Sequence, residues 1–404
     1  MKRIAVTSKH FTFYFPSLES LGTDNYFSIQ RYERTYERLE LFWHTRPSRR
    51  VRVWIYPDGH ELTRMSGLSF PHAYPDKSEI HTLPRASTGH ELAHLFAHCN
   101  NPDQDSWVLS EGTATLLDQR HTSLARDVET VTYMTRDVPE RDVTRLVGDT
   151  IVARGRRWEY VMASSFVAHL IREHGIAKFL SLYQYEDHVR NSIKETYATT
   201  ANSIEKEWKG RLLMLFRLTP SLQKIQRLKH EQKNEEAIEQ LETIAGAYRD
   251  EPVLLLELGA LLVRAGEFDV ATTVLGNVLS HRGMEIEPLW LLAWAHHCMG
   301  WAQLALGHLS QAKHHFEEAA GLCLAVPSRE FRSRPKGLTG ELLGHIEPSS
   351  WRISGALGTE SDKGYSLGCY IALRGRRGRT EHLPVTVLSG CTHKQNIELF
   401  RGRS

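Results

Sequence analysis

The sequence predicts an α+β fold: a small mixed β-sheet with helices, then an all-α repeat region, then an irregular tail. Three observations predict this. Short strand-like runs near the N-terminus are separated by a helical stretch. Helical spacing of apolar residues continues from about 116 to 218, and a repeating pattern begins near 222. We therefore place the domains at 1–217, 218–325 and 326–404.

Two strands with a helix between them are predicted at the N-terminus. The aromatic run 11–15 ends at Pro16, and the run 50–56 ends at a Pro-Asp-Gly turn. Apolar residues recur at helical spacing between these runs, at Ile29, Tyr32, Tyr36, Leu39 and Phe42. We expect the two strands to pair through this crossover helix, as the start of a small mixed sheet. A further strand is expected at 78–83.

Residues 90–94 read His-Glu-Leu-Ala-His, a spacing that suits metal binding. Residues four apart lie on one face of a helix, so the imidazoles of His90 and His94 can bind one ion, for which Zn²⁺ is the natural choice. A catalytic zinc takes three protein ligands, so one more is needed. His98 continues the spacing, but its Cα would be about 12 Å along the axis from that of His90, too far for a shared ion.

Glu111 is the better third ligand. The polar run 100–105 reads as a loop that turns the chain back, and Ser110 would then cap a second helix starting at Glu111. Two helices packed side by side would bring this carboxylate to the histidines. The sequence therefore predicts one zinc ion per chain.

The His-Glu-x-x-His run, followed by Trp107-x-x-x-Glu111-Gly112-x-Ala114, resembles the gluzincin branch of zinc metallopeptidases. The likeness is closest to the small peptidase MA-like domains and covers roughly residues 5–215. It implies that His90, His94 and Glu111 hold zinc, that Glu91 is the general base, and that the strand at 78–83 is the sheet edge beside the zinc. An extended peptide can pair with such an edge.

Two related classes of peptidase are excluded by the pattern. The metzincin motif would require a glycine at Ala97 and a third histidine at Asn100. The GxMEN string with which aminopeptidases of the clan hold a free N-terminus is absent from the sequence. Endopeptidase or oligopeptidase action is therefore expected.

The residue types suit hydrolysis of a peptide bond. Zinc lowers the pKa of a bound water from ~15.7 toward ~7, and Glu91 can take that proton and pass it to the leaving amine. The alternative is a chance match on an ordinary helix, since 22 of the 404 residues are histidine. The Glu-Gly-x-Ala continuation and its helical context argue against chance.

A tetrahedral intermediate also needs a hydrogen-bond donor aimed at its oxyanion. Tyr160 begins an amphipathic helix that Gly175 ends. The stretch is similar to the segment of aminopeptidase N relatives in which a tyrosine bonds the oxyanion, which implies a catalytic role for Tyr160. A tyrosine of the core or of a helix cap is the alternative. We expect no direct catalytic part for His98, His169 or His174, and a solvated loop for the basic run 154–157.

Residues 222–322 resemble a short tetratricopeptide array. Alignment on Ala237, Ala271 and Ala312 gives intervals of 34 and 41 residues, and 34 is the tetratricopeptide period. An insert around 281–287 explains the longer interval, and the first unit lacks the glycines of the other two. Such an array implies a concave surface for peptides or partner proteins. A generic bundle of helical hairpins is the alternative.

Composition sets further limits. The net charge is +2, which gives no general attraction to nucleic acid. No apolar run approaches the ~18 residues of a membrane span, and no secretory leader is expected. The five cysteines are scattered without a CxxC pair, which indicates a reducing, cytoplasmic setting. The basic segment 326–404, densest in arginine at 374–379, is expected to be a flexible tail.

These observations predict a zinc-dependent metallopeptidase in which zinc and Glu91 together activate the attacking water. The tetratricopeptide-like region would recruit a peptide or protein substrate, or a partner protein. The main alternative is a scaffold or adaptor whose peptidase-like domain has little or no activity. A third reading is a nucleic-acid-associated protein acting through the tail, but we expect no nucleic-acid partner and no membrane partner.

Overall fold

The computed structural model describes residues 3–16, 23–84, 86, 89–118, 121–132, 157–185, 189–248 and 251–323. The predicted tail and residues 154–156 of the basic run lie outside these ranges. The described chain divides into two compact units. One contains the residues up to Thr219 together with 282–291, and the other contains 220–281 and 292–323.

The described residues of the first unit form one five-stranded sheet. Its strands are Ile4–Thr7 (β1), Phe11–Phe15 (β2), Val51–Ile55 (β3), His72–Tyr74 (β4) and Glu79–Thr82 (β5). The spatial order is β1-β2-β3-β5-β4. The three central strands run parallel, and the two outer strands pair antiparallel. The small mixed sheet among many helices confirms the α+β class. The first two predicted strands pair as expected, and they run parallel.

The sheet edge differs from the prediction. β5 lies inside the sheet, because β4 pairs with its outer side through the register His72 to His81 and Ala73 to Ile80. The expectation that 78–83 forms the edge was therefore wrong. β4 has only three residues, which is too short for an alternating pattern to be visible in the sequence.

Nine of the described α-helices begin in the part of the first unit that runs up to Thr219. They are Thr23–Trp43 (α1), Gly59–Ser66 (α2), Gly89–Asn100 (α3), Trp107–Leu116 (α4), Ser123–Thr132 (α5), Arg157–His174 (α6), Ile176–Tyr183 (α7), Val189–Tyr197 (α8) and Ala201–His230 (α9). Alternate residues of β2 and β3, among them Phe13 and Val53, are fully buried. They share one core with apolar residues of α1, α3, α4 and α6, as the period-two pattern of the strands requires.

A buried polar network joins α5, α6 and α9 within this unit. Asp127 accepts hydrogen bonds from Ser165 Oγ at 2.6 Å and from Arg172 Nη2 at 2.6 Å. The Trp208 indole donates to Ser165 Oγ at 2.9 Å. Asp127 is 0% exposed, so these hydrogen bonds compensate the cost of removing its carboxylate from water.

The second unit is built of helices. After the end of α9 come Asn234–Ala247 (α10), Pro252–Ala265 (α11), Phe268–Leu279 (α12), Leu289–Ala305 (α13) and Leu309–Cys323 (α14). α11 packs closely on α12, since a Cβ at Gly259 would be 2.6 Å from Leu275 Cδ2. α13 packs on α14 in the same way, since a Cβ at Gly300 would be 2.8 Å from Phe316 Cε1.

The same turn recurs in three hairpins. Gly266 and Gly307 have φ values of +85° and +84°, a left-handed conformation that glycine adopts without strain. Gln232, with φ of 60°, holds the equivalent position 34 residues before Gly266. The hairpins thus repeat at the predicted intervals, and the first one has no glycine at its turn. No helix in the described ranges is long and apolar enough to cross a membrane.

The predicted insert is a structural part of the first unit. It forms a short 3-10 helix, Arg282–Ile286, whose Ile286 is fully buried in the core with the sheet. Arg38 donates a hydrogen bond to the Met284 carbonyl at 2.6 Å. Glu287 accepts hydrogen bonds from the backbone N–H and the hydroxyl of Ser123. The segment therefore adds to the core of the unit that carries the candidate site.

Candidate metal centre

Two helices of the first unit carry the predicted ligands. α3 starts at Gly89, where a Cβ would be 2.5 Å from the Leu117 carbonyl oxygen at the end of α4. α4 starts four residues before Glu111, because Ser106 is its N-cap and accepts from the Leu109 N–H. The prediction that Ser110 caps this helix was therefore wrong, since Ser110 lies within it.

The three predicted ligands come together. The Nε2 atom of His90 is 3.3 Å from Glu111 Oε2, and the Nε2 atom of His94 is 3.5 Å from the same oxygen. Their donor atoms all lie within 4.8 Å of one another, and within the described ranges no other group of three potential ligands does so. The side chains are 21, 17 and 23% exposed, so the cluster is accessible to solvent.

The spacing of these atoms fits a metal ion. Donors bound at ~2.0–2.2 Å to a tetrahedral ion lie about 3.3–3.6 Å apart, which includes both measured distances. Glu111 Oε2 is buried and accepts no hydrogen bond of good geometry from the described residues, although two imidazoles are within contact distance. An ion between the three side chains would satisfy this oxygen, so the residues present fit such a group.

The position of Glu111 depends on a close helix crossing. A Cβ at the next residue, Gly112, would be 2.8 Å from the Ala163 carbonyl oxygen and 2.9 Å from Val167 Cγ2. α4 and α6 can approach this closely only because Gly112 has no side chain. The same crossing brings Tyr160, one turn before Ala163 on α6, to the site.

The two carboxyl groups of the site have opposite pKa shifts. Burial raises the pKa of Glu91 to about 7, the charge of Glu111 adds to the rise, and His94 opposes it. Burial also acts to raise the pKa of Glu111, but the close imidazoles of His90 and His94 and their charges outweigh it and lower the pKa to about 2. Glu111 is therefore a carboxylate at neutral pH, as a metal ligand must be.

Tyr160 lies beside the cluster. Its ring centroid is 6.4 Å from that of His90, and it meets the Trp107 ring edge-on at 5.2 Å. Burial raises the pKa of its phenol, and the charges of Glu111, Glu159 and Glu91 add to the effect. The phenol is therefore protonated at neutral pH and can donate a hydrogen bond.

Ser110 and Tyr183 were not predicted to belong to the site. Ser110 Oγ is 3.5 Å from His94 Nδ1, and Tyr183 lies beside Ser110, which acts to lower the pKa of its hydroxyl. Burial raises the pKa of Tyr183, so its hydroxyl keeps its proton. A partner on Nδ1 helps to orient an imidazole that binds through Nε2. The sequence feature that could have revealed Ser110 is its position four residues after the true cap, Ser106. That spacing places Ser110 on the inner face of α4.

The other histidines near these helices have different surroundings. His98 Nε2 is 3.1 Å from an Asp76 carboxylate oxygen. His169 is buried, and His174 packs against the Tyr197 ring at 4.5 Å. None of the three belongs to the cluster of donor atoms formed by His90, His94 and Glu111.

Comparison with known proteins adds no family assignment. No model of a protein family matches the sequence, and no curated protein matches it at a significant level.

Proposed function

We propose that the protein is a zinc-dependent metallopeptidase. The observation that carries this is the convergence of His90, His94 and Glu111 on one point, with Glu91 on the same helix as the histidines. Two imidazoles and one carboxylate are a donor set for catalytic zinc, which keeps one position for water or substrate. Zinc bound there would lower the pKa of a water ligand and polarise the carbonyl of the scissile bond.

The side chains around the ligands have roles that suit hydrolysis. Glu91 follows the first ligand directly, and with a pKa of about 7 its carboxyl group can both take and release a proton at neutral pH. It is the proposed general base, and it would pass the proton to the leaving amine. Tyr160, held by Trp107 next to His90, is the proposed donor to the oxyanion.

A peptide is the proposed substrate, cut by endopeptidase or oligopeptidase action. β4 is the last strand of the sheet among the described residues, and an edge strand can pair with an extended peptide backbone. β4 lies against α3, the helix that carries the two histidines. The free thiols of Cys99 and Cys298 agree with a reducing cytoplasm.

A second candidate function is that of an adaptor. It is favoured by the helical hairpins of the second unit, which repeat the same turn at Gln232, Gly266 and Gly307. Stacked helical hairpins of the tetratricopeptide kind bind peptides and partner proteins. In the primary proposal this region recruits the substrate or a partner protein.

A pair of isosteric variants tests the primary proposal. We expect wild-type protein to bind about one zinc ion at this site and to cleave an unfolded protein substrate. Glu91→Gln should keep the metal but lose at least about 100-fold in kcat, because the general base is gone. Glu111→Gln should lose most of the metal, because a neutral amide is a poor zinc ligand.

Elemental analysis and a cleavage assay give the two readouts. Metal at this site without cleavage by the wild type would reject the peptidase and favour the adaptor. Equal metal content in the wild type and Glu111→Gln would reject the site itself.

A further inference from the structure

Two histidines of the second unit face each other across a helical hairpin. His296 lies on α13 and His315 on α14, and their Nδ1 atoms are 3.0 Å apart. The ring centroids are 5.3 Å apart, with an angle of 41° between the planes. Two Nδ1 atoms cannot both carry a proton at this distance, so at least one of them directs a lone pair at the other.

The distance fits two nitrogen ligands of one metal ion. Nitrogens bound at ~2.0–2.1 Å are about 2.9 Å apart at a right angle and about 3.3 Å apart at the tetrahedral angle. The observed 3.0 Å lies between these values. Imidazole is a good ligand for Zn²⁺, Cu²⁺ and Ni²⁺, and both geometries occur among these ions.

The hairpin holds the two rings in this position. Gly300 lies one turn after His296, and a Cβ there would be 2.8 Å from the ring of Phe316, the neighbour of His315. This contact fixes the distance between α13 and α14 at the level of the two rings. Because the two helices are already packed, metal binding there costs less conformational entropy than binding to a flexible loop.

Burial acts on both rings of the pair. It lowers the pKa of His296 to about 4, and the neighbouring His315 adds to the effect. Burial and His314 likewise lower the pKa of His315.

A third donor is within reach. Glu318 lies three residues after His315 on α14, so both side chains project from one side of that helix. Its charge acts to raise the pKa of both histidines, against the effect of burial. Glu318 is exposed and can rotate toward the pair from the solvent side.

We propose that His296 and His315, joined by Glu318, form a second site for a divalent transition-metal ion, separate from the centre at His90, His94 and Glu111. The site belongs to the last helical hairpin and lies outside the proposed catalytic machinery. Metal bound there would link α13 to α14 through their side chains and stabilise that hairpin.

Zinc binding by the full-length chain tests this proposal. After equilibrium dialysis, we expect about two zinc ions per wild-type chain, about one in His296→Ala/His315→Ala, and about one in His90→Ala/His94→Ala. The variant with all four changes should bind none. His308→Ala is the matched control, because His308 is exposed and paired with Gln303, and it should keep both ions.

Two further measurements keep the test independent of any loss of fold. Glu318→Gln, a change at an exposed position, should weaken zinc binding in the His90→Ala/His94→Ala background at least about tenfold. In that background, zinc should raise the thermal midpoint, and His315→Ala should abolish the rise. If the contact is only an N–H···N hydrogen bond, the background variant will bind no zinc and the proposal is overturned. None of these readouts uses cleavage or the ligands His90, His94 and Glu111, so a failure here leaves the peptidase proposal standing.

Discussion

Glu91 and Glu111 are the same residue type in one site, and their surroundings give them different properties. Glu111 lies against two imidazole nitrogens, which compensate its partial burial. The pKa of Glu91 is raised mainly by burial, which His94 opposes and the charge of Glu111 reinforces. Two carboxyl groups with separated pKa values are a common arrangement where one binds and the other transfers protons.

The first prediction concerns Tyr160. If its phenol donates to the oxyanion, Tyr160→Phe should lower kcat by about 100- to 1,000-fold, with little change in KM or zinc content. The phenyl ring keeps the contacts with Trp107 and His90, so the fold should be preserved. Steady-state kinetics with elemental analysis measure the effect. Tyr14→Phe is the control, since Tyr14 stacks on Trp54 in the sheet, and wild-type kcat for Tyr160→Phe would assign that residue to packing alone.

The second prediction is that the folded protein loses stability in acid because of His169. Burial lowers its pKa to about 3, nearby Arg172, Arg211 and His174 add to this, and Asp127 opposes it. The unfolded chain binds this proton below pH ~6.5, whereas the folded chain does not until about pH 3. The stability from the neutral ring is thus complete above pH ~6.5 and is lost as the pH falls toward 3.

At pH 5 the loss from this one group is about 2 kcal/mol. In His169→Gln, the difference in the free energy of unfolding between pH 8 and pH 5 should shrink by about that amount. Urea titrations followed by tryptophan fluorescence measure it, with the exposed His308→Gln as control. An unchanged difference in His169→Gln would show that the ring titrates normally in the folded chain.

At the scale of elements, the crossing of α4 and α6 is the main determinant of the site. Gly112 allows the contact with Ala163 and Val167, and it follows Glu111 directly. Gly112→Ala should therefore lower stability by about 1–3 kcal/mol through overpacking and also weaken zinc binding, because α4 must shift. Thermal unfolding and metal titration report the two effects.

Gly210 provides the matched control for this substitution. It lies in α9 with no atom within 4 Å of an added Cβ. Gly210→Ala should raise stability by about 0.5–1 kcal/mol and leave zinc affinity unchanged. Wild-type zinc affinity in Gly112→Ala would mean that Glu111 does not depend on this crossing.

At the scale of the whole molecule, residues far apart in sequence complete the first unit. Glu287 is 0% exposed and accepts hydrogen bonds from Ser123, which belongs to α5. Burial lowers the pKa of Arg38 to about 10, with the charges of Glu287 and Glu285 opposing that shift. The segment 282–291 thus brings both apolar side chains and a compensating negative charge to a unit that otherwise ends at Thr219.

Glu287→Gln should lower the stability of the first unit by about 1.5–3 kcal/mol, because a charged acceptor of hydrogen bonds becomes neutral. Glu285→Gln, a change at an exposed position of the same segment, should alter it by no more than about 0.5 kcal/mol. Chemical denaturation measures both. Equal effects of the two substitutions would show that Glu287 does not anchor the segment.

Much of the fold could be predicted from local patterns in the sequence. The aromatic run 11–15, the run 50–56 and the helical spacing between them predicted two strands and a crossover helix, because each signal lies within one element. β4 was missed because three residues carry too little pattern, and the edge was therefore assigned to the wrong strand. The start of α4 was misplaced because Ser106 and Ser110 are equally good caps by residue type.

The sequence by itself determined that His90 and His94 share one face of a helix, since the 3.6-residue period requires it. It also determined the turns of the repeated hairpins at Gly266 and Gly307, where only backbone conformation matters. The tertiary structure alone decided the 3.3 Å approach of Glu111 to His90 and the docking of Ile286 in a distant core. Those distances depend on how closely helices pack, and packing is a property of side chains that are remote from one another in the chain.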